Sequence, residues 1–150
     1  MNGNVFQCHG ERKDSRQFKR TMDALEEYSK KNVRNPADLS PLFGNTIKEP
    51  TLEIPKDPIA DEELDEKGNK TGKKLPLSAT ATLLWQEEVK DYFKRKREVK
   101  TSLATIYAVA WGQCSKAMKA KIKSLDEYES KTEANVCNWL LNNIQAITLQ

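Results

Sequence analysis

The sequence predicts an all-α protein, a helical bundle interrupted by a long disordered loop. Three observations carry that expectation. Apolar residues between 80 and 111 recur at alternating steps of four and three. Two further stretches, to about Leu125 and from about Thr132, repeat apolar residues at helical spacing. No segment alternates as a half-buried strand does.

Residues 1–14, "MNGNVFQCHGERKD", are polar and aperiodic and are expected to be disordered. They lack the apolar run of a signal peptide. A first helix is expected over 15–33, capped by Ser15 or Asp14, with Phe18, Met22, Leu25 and Tyr28 or Ser29 on one face. Asn35-Pro36 ends it, because a residue before proline is pushed out of the helical region. "PADLSPLFG" then supplies one short helical turn, completing an N-terminal segment of residues 15–43.

Residues 44–79 read as a flexible acidic, proline- and glycine-containing spacer. Between Glu49 and Glu66 stand eight acids and one lysine, Lys56. Such a stretch buries too little apolar surface to offset the entropy of ordering it. Within it, "GNKTGKK" resembles a phosphate-binding loop only superficially: the glycines are too close, no Ser or Thr follows Lys73, the lysine after the second glycine, and no strand is expected before it. "PKDP" fits a P-x-x-P pattern that a proline-spaced tether explains equally well.

Residues 80–150 form the helical core. Trp85, Val89, Tyr92, Lys96, Val99, Leu103, Ile106 and Ala110 make an a/d seam broken only at Lys96. Ser78 or Thr80 caps its start, and Gly112 kinks or ends it. The next helix turns Cys114, Ala117 or Met118, Lys121 or Ile122, and Leu125 inward. "SLDEYESKTE" reads as a turn. The last helix, capped at Thr132, faces Val136, Trp139, Leu140, Ile144 and Ile147 inward. The expected core anchors are Trp85, Tyr92, Leu103, Ile106, Trp111, Met118, Trp139 and Leu140.

Composition bounds the function. The 150 residues are 31% charged, with a net charge of +3, too mild to imply a nucleic-acid partner without local clustering. Cys8, Cys114 and Cys137 are odd in number and widely spaced, so no disulfide framework follows, and an intracellular, cytoplasmic location is the simpler reading. No run is long enough to cross a bilayer. A nucleophilic Cys114 needs a base, and the one histidine, His9, lies in the segment expected to be disordered. Cys114 and Cys137 are therefore expected to be small buried hydrophobes. Cys8-His9 has no second ligand pair, so no metal site is expected. Nor is any cofactor, small-molecule substrate or catalytic residue, and the chain is not expected to be an enzyme.

Two basic clusters remain. Lys90–Lys100 holds six basic residues and two acids, and Lys116–Lys123 holds four lysines and no acid. Lys94, Arg95, Lys96, Arg97, Lys119 and Lys123 are the candidates for weak contact with RNA phosphates. Against them stands the reading of a solvated face opposite the seam. Trp85, Trp111 and Trp139 fall at inward or near-inward positions, so no stacking platform is expected beside the bases.

The segments "VFQCHGERKDSRQFKRTMDALEEYSKK", "NPADLSPLF", the acidic spacer, "LWQEEVKDYFKRKREVKTSLATIYAVAWGQCSKAMKAKIKSLDEYESK" and "CNWLLNNIQAITL" resemble, over nearly the whole chain, the N-terminal part of Gag-like polyproteins of copia-type LTR retrotransposons, in their diatom and algal form. The sharpest element is "LATIYAVAWGQCSKAMKAKI" followed by a helix with a central tryptophan, here Trp139. The resemblance implies a capsid-like structural role, self-assembly of a helical bundle into particles, with the chain either a fragment of a decayed element or the N-terminal piece of a longer reading frame. The family's CCHC zinc knuckle has no counterpart in these residues, so knuckle-based RNA packaging does not carry over. The alternative reading is a nucleic-acid-binding helical module working through Lys90–Lys100.

Overall fold

The computed structural model describes residues 1, 3, 5–10, 12–58 and 62–150. Asp61 of the acidic run lies outside the described residues. The chain divides into two compact units: Met1–Thr51 with Arg97–Gln150, and Leu52–Lys96.

The first unit is helical. Helix α1 spans Arg12–Asn32 and buries Asp14, Thr21, Leu25 and Ser29. It starts three residues ahead of the expected position. Asp14 holds that end: its carboxylate accepts the His9 amide at 2.6 Å and lies near the helix's positive pole. Asn35, in the left-handed region at φ 50°, turns the chain into a 3₁₀ helix, Pro36–Phe43. Asn, with its short polar side chain, tolerates that conformation better than most residues. Leu39 and Leu42, fully buried, are what this short helix contributes to the core.

Helix α2 is the long element, Ala79–Gly112. Its C-terminal half belongs to the first unit and buries Val99, Ser102, Ile106, Tyr107 and Ala110. Helix α3, Lys116–Lys123, is capped by Ser115, whose hydroxyl accepts the Met118 amide at 3.2 Å. A short helix α4, Tyr128–Glu133, occupies the stretch expected to be a turn. Helix α5 covers Cys137–Thr148. It begins later than the expected Thr132 because Asn135, at φ 52°, breaks the helix. Thr132 instead hydrogen-bonds the Tyr107 hydroxyl at 2.6 Å.

In this unit α1 packs on the 3₁₀ helix and on α5, α3 packs on α5 and α4, and α5 also meets the 3₁₀ helix. Leu25, Leu39, Leu42, Ile106, Met118, Ile122, Leu140, Leu141 and Ile144 are fully buried where these elements converge. Truncating any one of these large side chains to alanine should cost about 2–5 kcal/mol. Of the expected anchors, Ile106, Met118 and Leu140 are fully buried, while Leu103, Trp111 and Trp139 are half-buried. Periodicity gives direction, and depth depends on which neighbour covers the position.

The expectation of a disordered N-terminus needs correction at Val5 and Phe6; Asn2, Asn4 and Glu11 of that segment lie outside the described residues. Phe6 is fully buried and stacks on Phe18 with ring centres 5.6 Å apart. Its amide donates to the Gln113 carbonyl at 2.7 Å, and its carbonyl accepts the Ser115 amide at 3.0 Å. The Thr21 hydroxyl lies 2.9 Å from the Val5 carbonyl. One aromatic and a few backbone bonds to distant residues tie Val5 and Phe6 to the helical unit, although the sequence around them is polar on average.

The second unit holds the first half of α2 and a two-stranded antiparallel hairpin: β1, Glu62–Leu64, and β2, Lys70–Lys74. Strands were not expected in the spacer. The turn makes them. The Asp65 carboxylate accepts the amides of Lys67 and Asn69 at 2.9 and 2.8 Å, and Gly68 supplies φ 83°. Every residue of β2 is exposed, so no apolar alternation announces it. Trp85 and Tyr92, expected in the core, are half-buried here.

Candidate nucleic-acid interface

The six basic residues singled out in the sequence fall into two sets. Lys94, Arg95, Lys96 and Arg97 are consecutive in α2, so successive side chains leave the helix about 100° apart. Lys94 and Arg97 share the face of Lys90, whose ammonium is 3.4 Å from the Glu87 carboxylate. Lys96 lies on the seam, 6.0 Å from the centre of the Tyr92 ring. Arg95 is half-buried. The run does not form one basic surface.

Lys119 and Lys123 do converge. They sit one helical turn apart on α3, and their ammoniums stand 5.7 and 5.9 Å from the centre of the same Trp111 ring. That is within the range of a cation–π attraction, about 0.5–1 kcal/mol each at an exposed site. The Tyr128 ring lies 5.7 Å from Trp111, tilted by 33°. No carboxylate is within ion-pair distance of either ammonium among the described residues. Lys116 projects from the same side of α3, opposite the buried Met118 and Ile122.

Local structure explains the convergence. Gly112 ends α2 one residue after Trp111, and the chain reverses through Gln113 and Cys114 into the Ser115 cap. The reversal lays α3 beside the end of α2, and α4 then brings Tyr128 back to the same ring. Sequence reasoning found the two lysines. It assigned Trp111 to the core and Tyr128 to a turn, because helical periodicity does not extend across a chain reversal.

Cys114 and Cys137 are buried, and burial pushes each thiol up to about 12. At Cys114 the nearby Lys119 charge pulls the other way, and burial outweighs it. Cys114 Sγ donates to the Ala110 carbonyl and Cys137 Sγ to that of Leu103. Both are protonated near neutral pH and are poor nucleophiles. Cys114 sits just ahead of α3 and is buried, as Met118 and Ile122 are.

Among the described residues, no group of three or more His, Cys, Asp or Glu is placed to hold a metal ion, and no helix is long and apolar enough to cross a membrane. Comparison with protein-family models, with curated proteins and with solved structures finds no match.

Proposed function

We propose that the chain is a non-catalytic, intracellular assembly protein, with the capsid-like role of the Gag polyproteins its sequence resembles, and that copies associate through the first half of α2. The observation that carries this reading is the state of the seam. Its C-terminal part is covered within the first unit, at Val99, Ile106 and Ala110. Its N-terminal members Trp85, Val89 and Tyr92 are only half-buried, and the apolar residues flanking them, Leu84 and Phe93, are 60% and 44% exposed. At about 100° per residue these five lie within one half of the helix circumference.

A stripe of that width on a helix is self-complementary across a two-fold axis, so a second copy supplies a matching cover. Full transfer of a Leu or Phe side chain from water is worth about 1.5–3 kcal/mol, and partial cover proportionally less. Three free cysteines fit a reducing compartment. The rival reading, with Lys90–Lys100 as a nucleic-acid surface, finds less support because its bases are spread around the helix.

Sedimentation velocity on Leu84→Glu/Phe93→Glu tests the reading. Both side chains are exposed, so the fold should tolerate the change while the oligomer dissociates. An unchanged sedimentation coefficient in an oligomeric protein would place the contact elsewhere.

A further inference from the structure

We propose that Trp111, Tyr128, Lys119 and Lys123 form a binding site for single-stranded nucleic acid, with a base stacked on the Trp111 indole and the adjoining phosphates held by the two lysines. The site is independent of the α2 seam. Two like-charged ammoniums share one indole and have no carboxylate partner among the described residues. They repel each other and leave positive potential over an aromatic face. An anion that also carries a flat ring answers both features. The phosphate takes the ammoniums, and the base takes the ring face they vacate. Long lysine side chains make that exchange by rotating, with no backbone movement.

Lys116, exposed on the same side of α3, extends the row to about 10 Å. The buried thiol beneath, Cys114, takes no part. A duplex fits poorly, because its bases are already stacked and hide their faces. An acidic peptide would use the lysines and leave the indole idle. Asp126, Glu127 and Glu129, all exposed next to Tyr128, would repel such a peptide as they would any polyanion, so recognition has to draw on the ring. Stacking is sequence-tolerant, so little base preference is expected.

The test is fluorescence anisotropy of a labelled oligouridylate with the full chain, titrated at several salt concentrations and challenged with polyglutamate. Removing the ring face with Trp111→Leu should weaken binding about ten- to a hundredfold without changing the salt slope. Lys119→Ala/Lys123→Ala should lower the slope of log K against log salt by about 1.4, two phosphates at about 0.7 each. The double lysine variant alters only side chains that point outward, so it reads the site even if Trp111→Leu unfolds. Four results would overturn the proposal: no binding by the wild type, an unchanged slope in the lysine variant, full affinity in a folded Trp111→Leu, or displacement by polyglutamate as efficient as by unlabelled oligonucleotide. Light scattering on the same samples without oligonucleotide reads self-association separately, so either idea can fail alone.

Discussion

Phe6 and Cys114 lie side by side in parallel backbone register, joining the start of the chain to the reversal between α2 and α3. The Phe6 ring itself is fully buried and lies against Phe18. The N-terminal segment is therefore part of the helical unit, and it holds in place the turn that carries Trp111 toward α3.

Phe6→Ala should destabilise the first unit by about 3–5 kcal/mol, the usual cost of emptying a buried aromatic site. Phe93→Ala, at a 44% exposed position, should cost far less in the monomer. Urea unfolding of the two variants, compared at one protein concentration, checks the contrast. Equal losses would mean that Phe6 is not packed as described.

The two buried thiols should make the protein sensitive to alkali. Their folded values are raised to about 12, against about 8.5 for an unfolded thiol. The folded state therefore holds its protons more tightly. Its advantage is complete below the unfolded value and is lost as pH rises through the interval toward the folded one. Stability should fall by about 1.4 kcal/mol per pH unit per thiol across that interval. Cys114→Ala should remove about half of the slope in urea melts run from pH 8 to pH 10.5. In the native protein at neutral pH a thiol reagent should label half-buried Cys8 first, and the other two only after unfolding.

The Tyr107–Thr132 hydrogen bond ties α2 to α4. Burial raises the Tyr107 hydroxyl above its ordinary value, so it is neutral and able to donate at physiological pH. A double-mutant cycle with Tyr107→Phe and Thr132→Val should give a coupling of about 1 kcal/mol. A coupling near zero would mean that α4 is held by its packing on α3 and by the Trp111–Tyr128 ring contact instead.

The hairpin depends on its turn. Asp65→Ala removes two hydrogen bonds to the Lys67 and Asn69 amides. Amide exchange in residues 62–74 should speed up, while the melting midpoint of the helical unit stays where it is, because the hairpin belongs to the other unit. A shared drop in both would show that the two units unfold together.

These contrasts mark what the sequence could and could not announce. Helical spacing identified α1, both parts of α2, α3 and α5, because a face buried against neighbours imposes a 3.6-residue period on the chain that folds there. It did not identify β1 and β2, since strands exposed on both faces carry no alternation and Asp65 with Gly68 does the shaping. It did not order Phe6, whose partners Gln113 and Ser115 are far from it in sequence. Lys119 and Lys123 were visible as charge. Gly112 marked the break after α2, but the path of the chain beyond it, which brings both lysines to Trp111, has no local pattern.

The most direct test of the central claim is light scattering coupled to size exclusion on the purified chain, at low and high salt, with and without a generic RNA. Self-association through the apolar seam predicts oligomers that form without RNA and persist or strengthen in high salt. A monomer at every salt concentration, enlarged only by RNA and only at low salt, would contradict assembly through α2 and leave the basic surfaces as the working part of the protein.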